Sequence, residues 1–409
     1  MALIVHKYGG TSVGGIDRIE GVADKVCAAR DCGDDVVVVL SAMAGETDRL
    51  LDLARGISSH GRPNPRELDV LLATGEQVTV ALLCMALEKR GITARSFTGF
   101  QAGIRTDSGH NKARILEVSA DDVLAQLHKG RVPVVAGFQG IDSEGNITTL
   151  GRGGSDTTAV AVAAALKAVE CRIYTDVDGV YTADPRIVAG ARRLDFLTFE
   201  EMLEMAGQGS KVLQTRSVEF AYRHNVRLRV LSTFETGPGT LITSGDDAVE
   251  SARIVGIACS RNEAEIRING VPATVDAASR LLGPLAASRI EIDMIVQNQA
   301  TDGSLNFAFT VPRQDYDQAR EILELHFRDS DVRIEGNARV AKLALIGAGI
   351  RSQADIARRM FATLASADIA VRQIASSELR ISVVLDEIGM ENAARALHHE
   401  FGLHEDVLA

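Results

Sequence analysis

Lys7-Tyr8-Gly9-Gly10-Thr11-Ser12 follows the apolar run Leu3–Val5 directly, and the sequence beyond Gly15 has a helical pattern. A lysine ahead of paired glycines, between a strand and a helix, is chemistry suited to phosphate. Glycines let the backbone approach closely, amides near a helix N-terminus attract anions, and Lys7 supplies a point charge. Taken alone, the glycines read equally well as the turn that ends a strand. No G-x-x-x-x-G-K-[ST] occurs in the chain, so phosphate must be held otherwise than by a P-loop. A second loop, Gly151-Arg152-Gly153-Gly154-Ser155-Asp156-Thr157-Thr158, runs into the alanine-rich stretch Ala159–Leu166. Ser155 or Asp156 there suits a helix N-cap. Arg152 does not: between glycines it gains nothing as a cap, yet it offers a fork that matches a carboxylate in a bidentate pair.

Glu76, in Thr74-Gly75-Glu76-Gln77, follows the apolar Val70-Leu71-Leu72 run inside a helical pattern. Alone it is an ordinary helix glutamate; beside Arg152 it would take an α-ammonium while the arginine takes a carboxylate, which together describe an amino-acid pocket. Ser41, at the end of the Val36–Leu40 strand, and Thr47 would add hydroxyl contacts at a sheet's carboxyl edge, where open α/β sheets bind ligands. A third cluster, Tyr174–Arg186, holds acids, tyrosines and an arginine that would frame a nucleotide, although its Asp-Gly and Asp-Pro pairs are also common turn formers. Lys211 reads either as a phosphate contact or as a plain helix-start residue. Gly347-Ala348-Gly349 after the strand-like Leu343–Ile346 imitates a dinucleotide fingerprint, but Ser352 stands where the third glycine belongs. The nine histidines show no ligand-like spacing, and no protein metal ligand is expected.

The elements that must position these residues are strand-like runs at Leu3–Val5, Asp35–Ser41, Val132–Ala136, Cys171–Thr175 and Val226–Leu231, with helical patterns such as Glu67–Arg90 and Ser155–Val169 between them. That alternation predicts a mainly parallel sheet sandwiched by helices. Turn formers and acids from Thr236 to Asp247 place a domain boundary near residue 248. Beyond it one unit occurs twice. Ile292–Val296, Asn306–Val311 and a helix around Asp317–Leu325 are followed later by Ile369–Val371, Leu379–Leu385 and a helix around Glu391–Glu400. The first copy has an opening strand (Ala264–Ile268) and a closing one (Val332–Glu335), whereas the second opens at Lys342–Ile346 with little chain left to close. The spare strand Arg253–Cys259 is therefore expected to join the second unit's sheet.

At 409 residues, with 46% hydrophobic and 24% charged residues, the chain has the profile of a folded protein of two or three domains. A net charge of −11 argues against a nucleic-acid footprint. Five scattered cysteines without C-x-x-C spacing suit a reducing cytoplasm. No run approaching the ~20 apolar residues of a membrane span is evident, so no membrane partner is expected.

Taken in order, Lys7–Ser12, Ser41-Ala42-Met43, Thr74-Gly75-Glu76-Gln77, Gly137-Phe138-Gln139-Gly140, Leu150–Thr158 and Tyr174–Arg186 closely resemble aspartate kinases of the amino-acid kinase family, and the paired repeats resemble their ACT domains. The resemblance covers nearly the whole chain. It implies an amino-acid kinase fold over 1–248, a linker plus a strand lent to the second ACT unit over 249–263, and two ferredoxin-like ACT domains over 264–337 and 338–409. It implies a reaction in which MgATP and L-aspartate give 4-phospho-L-aspartate and ADP, the entry to lysine, threonine and methionine synthesis. Lys7 would stabilise the transferring phosphoryl group, with Asp156 orienting it. Ser41, Thr47, Glu76, Arg152 and Ser155 would hold aspartate. Lys7, Gly9, Gly10, Thr11, Ser12, Thr175, Asp176, Tyr181, Asp184, Arg186 and Lys211 would hold nucleotide, with Mg²⁺ bound mainly by phosphates and water. Self-association through the ACT domains, as a dimer or higher, is also implied.

The departures from the family pattern fall in the repeats. Ala273-Thr274-Val275-Asp276 stands where related enzymes usually show an Asp-x-Pro-Gly turn. Gln353-Ala354-Asp355 and Ala375-Ser376-Ser377 also differ from the usual motifs. Asp293, Gln297 and Asn298 remain in the familiar Ile-Asp-Met-Ile-x-Gln-Asn strand and, with Ser376, are the effector candidates. The expectation is of ACT units that fold and dimerise but respond weakly, or not at all, to lysine and threonine.

Overall fold

β1 (Leu3–Tyr8) is buried from Ile4 to Tyr8, which only a central strand covered on both faces achieves. The computed structural model describes residues 2–58, 61, 63–210, 212–245, 253–350 and 354–404. They form two compact units, the first comprising Met1–Val180, Arg193–Ala206 and Lys211–Ala248, the second Tyr181–Arg192, Gly207–Ser210 and Val249–Ala409.

From β1 the chain runs through α1 (Ile16–Asp31), β2 (Asp35–Leu40), α2 (Glu46–Ile57), α3 (Pro65–Leu72), α4 (Thr74–Glu88) and β3 (Ala94–Phe97). Next come β4 (Ile104–Thr106), β5 (Ile115–Val118), α5 (Asp121–Leu127), β6 (Val132–Ala136), β7 (Gln139–Ile141) and β8 (Ile147–Thr149). Then α6 (Gly154–Ala165), β9 (Glu170–Thr175), β10 (Phe196–Thr198), α7 (Phe199–Gly207), α8 (Thr215–His224), β11 (Leu228–Ser232) and β12 (Thr240–Thr243) complete the series.

The main sheet has eight strands in the order β10-β12-β11-β9-β1-β2-β6-β3, parallel except for the β11/β12 pair. The chain builds outward from β1 through β2 in one direction and through β9 in the other. A reversal of this kind opens a crevice beyond the carboxyl ends of the strands. A second sheet, β5-β4-β7-β8, has no counterpart in the sequence reading. Its strands of three or four residues are too short to carry a legible period.

The helical pattern Glu67–Arg90 divides at Ala73 into α3 and α4, and the Asn64 side chain caps α3 by accepting from the amides of Arg66 and Glu67. By length and composition alone Pro65–Glu88 is long and apolar enough to cross a membrane, a test that the core helix of a folded unit meets as well. The apolar face is used inside the unit, where Val80, Leu83 and Leu87 pack with Ile19, Val22 and Val26 of α1.

The second unit runs β13 (Arg253–Val271), α9 (Ala277–Ala287), β14 (Asp293–Gln299), β15 (Leu305–Pro312), α10 (Tyr316–His326) and β16 (Arg333–Ala348). α11 (Ala354–Ser366), β17 (Val371–Ser376), β18 (Arg380–Asp386) and α12 (Met390–Glu400) follow. The strands form one antiparallel sheet, β14-β15-β13-β16-β18-β17. Where the sequence suggests two strands on either side of Ser260, the chain continues as a single β13 with register shifts between Ser260 and Glu265. Its first half pairs with Lys342–Ala348, which also pairs β18, and its second half pairs with β15. Two apolar cores result, one around Ile266, Leu281, Phe309 and Leu323, the other around Leu345, Met360, Val383 and Leu397. Ala183 and Val188, from the inserted Tyr181–Arg192 segment, lie in the second core. Gly347 pairs with Ile254 as an ordinary ladder residue, so the dinucleotide-like glycines close a strand.

Candidate active site

Alternate residues of β1 face opposite sides of the sheet, which separates Lys7 from His6 and Tyr8. Lys7 is 8% exposed, and its Nζ lies 2.5 Å from Oδ1 of Asp156 in the first turn of α6. That helix begins after Gly153, at φ 72°, with no side-chain cap. The N-cap role open to Ser155 or Asp156 is thus not taken, because Asp156 engages Lys7. A side chain at 153 would meet Gln214 at 2.3 Å, so glycine is required for packing as well as for backbone angle.

Beyond β1, the Gly9 amide donates to the Tyr174 carbonyl at 3.2 Å, and Gly10 accepts from the Ala44 amide at 3.1 Å. A Cβ on Gly10 would sit 2.9 Å from the Ala42 oxygen, so the loops after β1 and β2 approach closely because position 10 lacks a side chain. Thr11 is half-buried, while the Ser12 hydroxyl lies 2.5 Å from that of Thr233. The Ser41 amide donates to the Tyr8 carbonyl, and Thr79 donates its hydroxyl hydrogen to the Ser41 carbonyl at 2.9 Å.

Glu76, 3% exposed in the first turn of α4, accepts at Oε1 from the Ala42 amide at 3.2 Å. Its Oε2 is buried without a partner. Burial pushes the carboxyl up to about 8 against the pull of its own amide and that of Ala42. Thr47 is half-buried in the first turn of α2. Gly137, at the end of β6, would carry a Cβ 2.8 Å from that of Ser155 and 2.9 Å from the Leu40 carbonyl, which brings the start of α6 against the end of β2. Arg152 is exposed between Gly151 and Gly153, both at positive φ, and makes no ion pair among the described residues.

Lys7, Gly9, Gly10, Ser41, Glu76, Ser155 and Asp156 therefore gather at the carboxyl edge of β1, β2 and β6. Thr175 ends β9, its carbonyl accepting from Thr233 and its hydroxyl donating to exposed Asp176 at 3.1 Å. Tyr181, Asp184 and Arg186 fall in the second unit, where Asp184 and Arg186 are joined by an ion pair of 2.7 Å. Lys211 lies outside the described residues. Of the effector candidates, Asp293 is held by Lys342 at 2.6 Å, while Gln297, Asn298 and Ser376 are exposed on β14 and β17.

Two features escape the sequence reading. Behind Lys7, Tyr8 stacks on Tyr174 at 4.7 Å, and His6 is buried so completely that its imidazole is lowered to about 3, first by desolvation and then by nearby Arg172 and Lys25. The other is Asp69 of α3, wholly inaccessible and bonded to His110 and Thr149. An acid beside Val70-Leu71-Leu72, on the helical face that continues to Leu72, is the signal that marks it.

Residues 2–232 match the model of the amino acid kinase family, and residues 343–401 that of the ACT domain. The chain belongs to the amino acid kinase family. It is 58% identical to an aspartate kinase of Pseudomonas fluorescens over 98% of both chains, and 58% identical to an aspartokinase of Pseudomonas aeruginosa over 98% of both. Among solved structures, aspartokinase III of E. coli in complex with aspartate and ADP is similar with a TM-score of 0.82 at 26% identity, covering 97% of this chain and 99% of that one. Its enzyme class within the family is that of the aspartate kinases.

Proposed function

We propose that the chain transfers the γ-phosphoryl group of ATP to the side-chain carboxylate of L-aspartate, giving 4-phospho-L-aspartate and ADP. A carboxylate oxygen forms the new P–O bond as the bond to the ADP oxygen breaks. The acceptor, with a pKa of about 4, is already ionised near neutrality, so no general base is needed. Catalysis then rests on alignment and charge neutralisation. The observation that carries this reading is the buried Lys7–Asp156 pair at the edge of the central strand, close to the loops that Glu76 holds. Lys7 neutralises the phosphoryl oxygens, and Asp156 fixes the ammonium where it is needed.

By the same reading, the unpaired Oε2 of Glu76 takes the aspartate ammonium and Arg152 its α-carboxylate, with Ser41, Thr47 and Ser155 as hydroxyl contacts. The glycine loop Gly9–Ser12, Thr175, Asp176, Tyr181, Asp184, Arg186 and Lys211 hold nucleotide. Mg²⁺, when bound, neutralises charge between nucleotide oxygens. Asp156 is engaged by Lys7, so phosphate and water would supply most of the ion's ligands.

We further propose a cytoplasmic enzyme that opens lysine, threonine and methionine synthesis and self-associates through its ACT units. The segments are 1–248 for catalysis, 249–263 as linker and lent strand, 264–337 and 338–409 as ACT units. Feedback by lysine and threonine is weak or lost; the capture of Asp293 by Lys342 supports that reading. The deciding experiment is an ADP-release assay with aspartate, glutamate and acetylglutamate offered as acceptors. Turnover with aspartate alone is the expected result, and turnover with either rival in its place overturns the proposal.

A further inference from the structure

Asp69 is a buried acid whose two oxygens are both partnered, yet it touches none of the groups assigned to substrate. Its Oδ2 accepts from His110 Nδ1 at 2.7 Å and its Oδ1 from the Thr149 hydroxyl at 2.5 Å, while the Asn111 amide reaches both oxygens at 3.1 and 3.2 Å. These donors come from separate segments. Asp69 sits near the end of α3, which continues through Ala73 into α4 and so into Glu76. Thr149 is the last residue of β8, immediately before Leu150-Gly151-Arg152. Asn111 belongs to the connection between β4 and β5, and its carbonyl oxygen would lie 3.0 Å from a Cβ at Gly151, so this connection is the wall against which the Arg152 loop rests. Asn111 itself sits at φ 66°, in the left-handed region that asparagine adopts more readily than most residues.

The far side of the same loop is fixed independently. Arg216 of α8 donates to the Leu150 carbonyl at 2.7 Å and to the Ala113 carbonyl at 2.6 Å, and the Ala113 amide donates to the Thr149 carbonyl. Arg152 is left as the exposed tip of a loop whose base is bonded on both sides.

We infer that Asp69, with His110 and Thr149, is a positioning residue for the amino-acid substrate: one buried carboxylate sets the spacing between the helix that carries Glu76 and the loop that carries Arg152. The inference rests on the reading of Glu76 and Arg152 as the two grips on the ammonium and carboxylate of aspartate. A two-point grip on so small a ligand depends on the distance between its points, and a misplacement of about 1 Å can cost up to about a hundredfold. Among the described residues neither Asp69 nor His110 is hydrogen-bonded to the loops after β1 or β9, so the nucleotide side is not expected to share this dependence.

The test is steady-state kinetics of the full-length enzyme, with the KM values for aspartate and ATP determined separately for Asp69→Asn, His110→Leu and His110→Asn, and with Arg152→Ala as a control. Asp69→Asn and His110→Leu are expected to raise the aspartate KM about tenfold while the ATP KM stays in place. In His110→Asn the amide nitrogen occupies the position of Nδ1, so the aspartate KM returns towards that of the parent. An Asp69→Asn enzyme that loses stability and kcat but keeps its aspartate KM makes Asp69 a structural anchor only, and overturns the inference. Should Asp69→Asn fail to fold, an unchanged aspartate KM in His110→Leu overturns it equally, because His110 is partly exposed and tolerates replacement. A raised KM in the Asp69 or His110 variants with none in Arg152→Ala would instead remove Arg152 from the pocket, so failure of the pocket reading is separable from failure of the clamp.

Discussion

In the first unit Glu76 keeps one carboxylate oxygen and His6 one ring nitrogen buried without a partner, whereas in the second unit Glu265, 1% exposed, is met by Arg267 at 3.0 Å, Arg372 at 2.8 Å and Gln373 at 2.9 Å. Lys342, 3% exposed, is likewise held by Asp293, with Glu263 at 3.6 Å. An unpaired buried polar group costs about 1–3 kcal/mol, more when charged, and a chain retains such a cost where something else will supply the partner. A buried charge that is already matched ties strands together and offers little to a ligand. At these sites the contrast is between a carboxylate left open to a charged ligand and charges matched within their own sheet; among the described residues the second unit also keeps unpartnered buried atoms, at Thr310 Oγ1 and Gln373 Oε1, and the first unit also holds matched acids, Asp69 and Glu170.

The sharpest way to break that contrast is at Lys7. Lys7→Ala removes the one buried cation at the end of β1 and leaves Asp156 without its partner, so both the phosphoryl contact and the local charge balance are lost. Turnover is expected to fall by about 10²–10³-fold, the usual consequence of deleting a group that meets developing charge. Circular dichroism of the variant shows whether the fold survives, and a folded variant with parental kcat removes Lys7 from the chemistry.

Glu76 sharpens the comparison through pH. Burial raises its carboxyl to about 8, so below that pH the free enzyme carries it protonated. An ammonium ligand favours the anion, and binding must therefore expel a proton. The apparent affinity for aspartate should rise about tenfold per pH unit up to about pH 8 and then level off. Measured from about pH 6 to about pH 9, the aspartate KM of the parent should follow this course, and that of Glu76→Gln should be weaker and flat. A flat parental profile would mean that Glu76 does not face the ammonium.

His6, bonded to the Tyr8 hydroxyl at Nδ1 and unpartnered only at Nε2, is buried, and its effect falls on stability. Its folded value, about 3, lies below the ordinary 6.5, so the unfolded chain takes up the proton first as pH falls. The contribution is fully present above pH 6.5 and is lost below it at about 1.4 kcal/mol per pH unit. Urea midpoints of the parent should drop on moving from about pH 7 to about pH 5, and His6→Phe should drop less. Equal losses in both would assign the acid sensitivity to other groups.

The fold class was legible because β1, β2, β6 and β9 are apolar runs separated by helical patterns, and burial on both faces of a parallel sheet writes itself directly into composition. The antiparallel repeats were legible from their duplication. The second sheet of the first unit was not, since Ile104–Thr106 or Gln139–Ile141 alternates too briefly to register. In the site, Lys7, Arg152 and Asp156 announced themselves by standing among glycines. The Asp69 network did not, because its members lie far apart in sequence, α3 with the β4–β5 connection and β8, and only the folded chain brings them within a hydrogen bond. Nor did sequence reveal that Glu76 lacks a partner for one oxygen, which depends on what surrounds it.

The smallest effect is expected from lysine and threonine. An ACT-type effector site needs a group free to meet the ammonium of an amino acid, and Asp293, the acid on β14, is already engaged by buried Lys342, which Glu263 also faces, although Gln297, Asn298 and Ser376 stay exposed. Lys342 holds the Asp293 carboxyl below the usual carboxylate range against the opposing effect of burial, so the acid stays ionised and paired. The Ala273-Thr274-Val275-Asp276 segment gives α9 no side-chain cap, and Val275 is fully exposed. Lysine and threonine, alone or together at sub-millimolar concentration, should therefore leave the initial rate nearly unchanged. Release of Asp293 by Lys342→Met tests the cause, because that variant frees the acid for an ammonium ligand and should gain a measurable response to lysine. Inhibition of the parent enzyme at the same concentrations would mean that an effector competes successfully with Lys342, and would erase the distinction between the two units' buried charges.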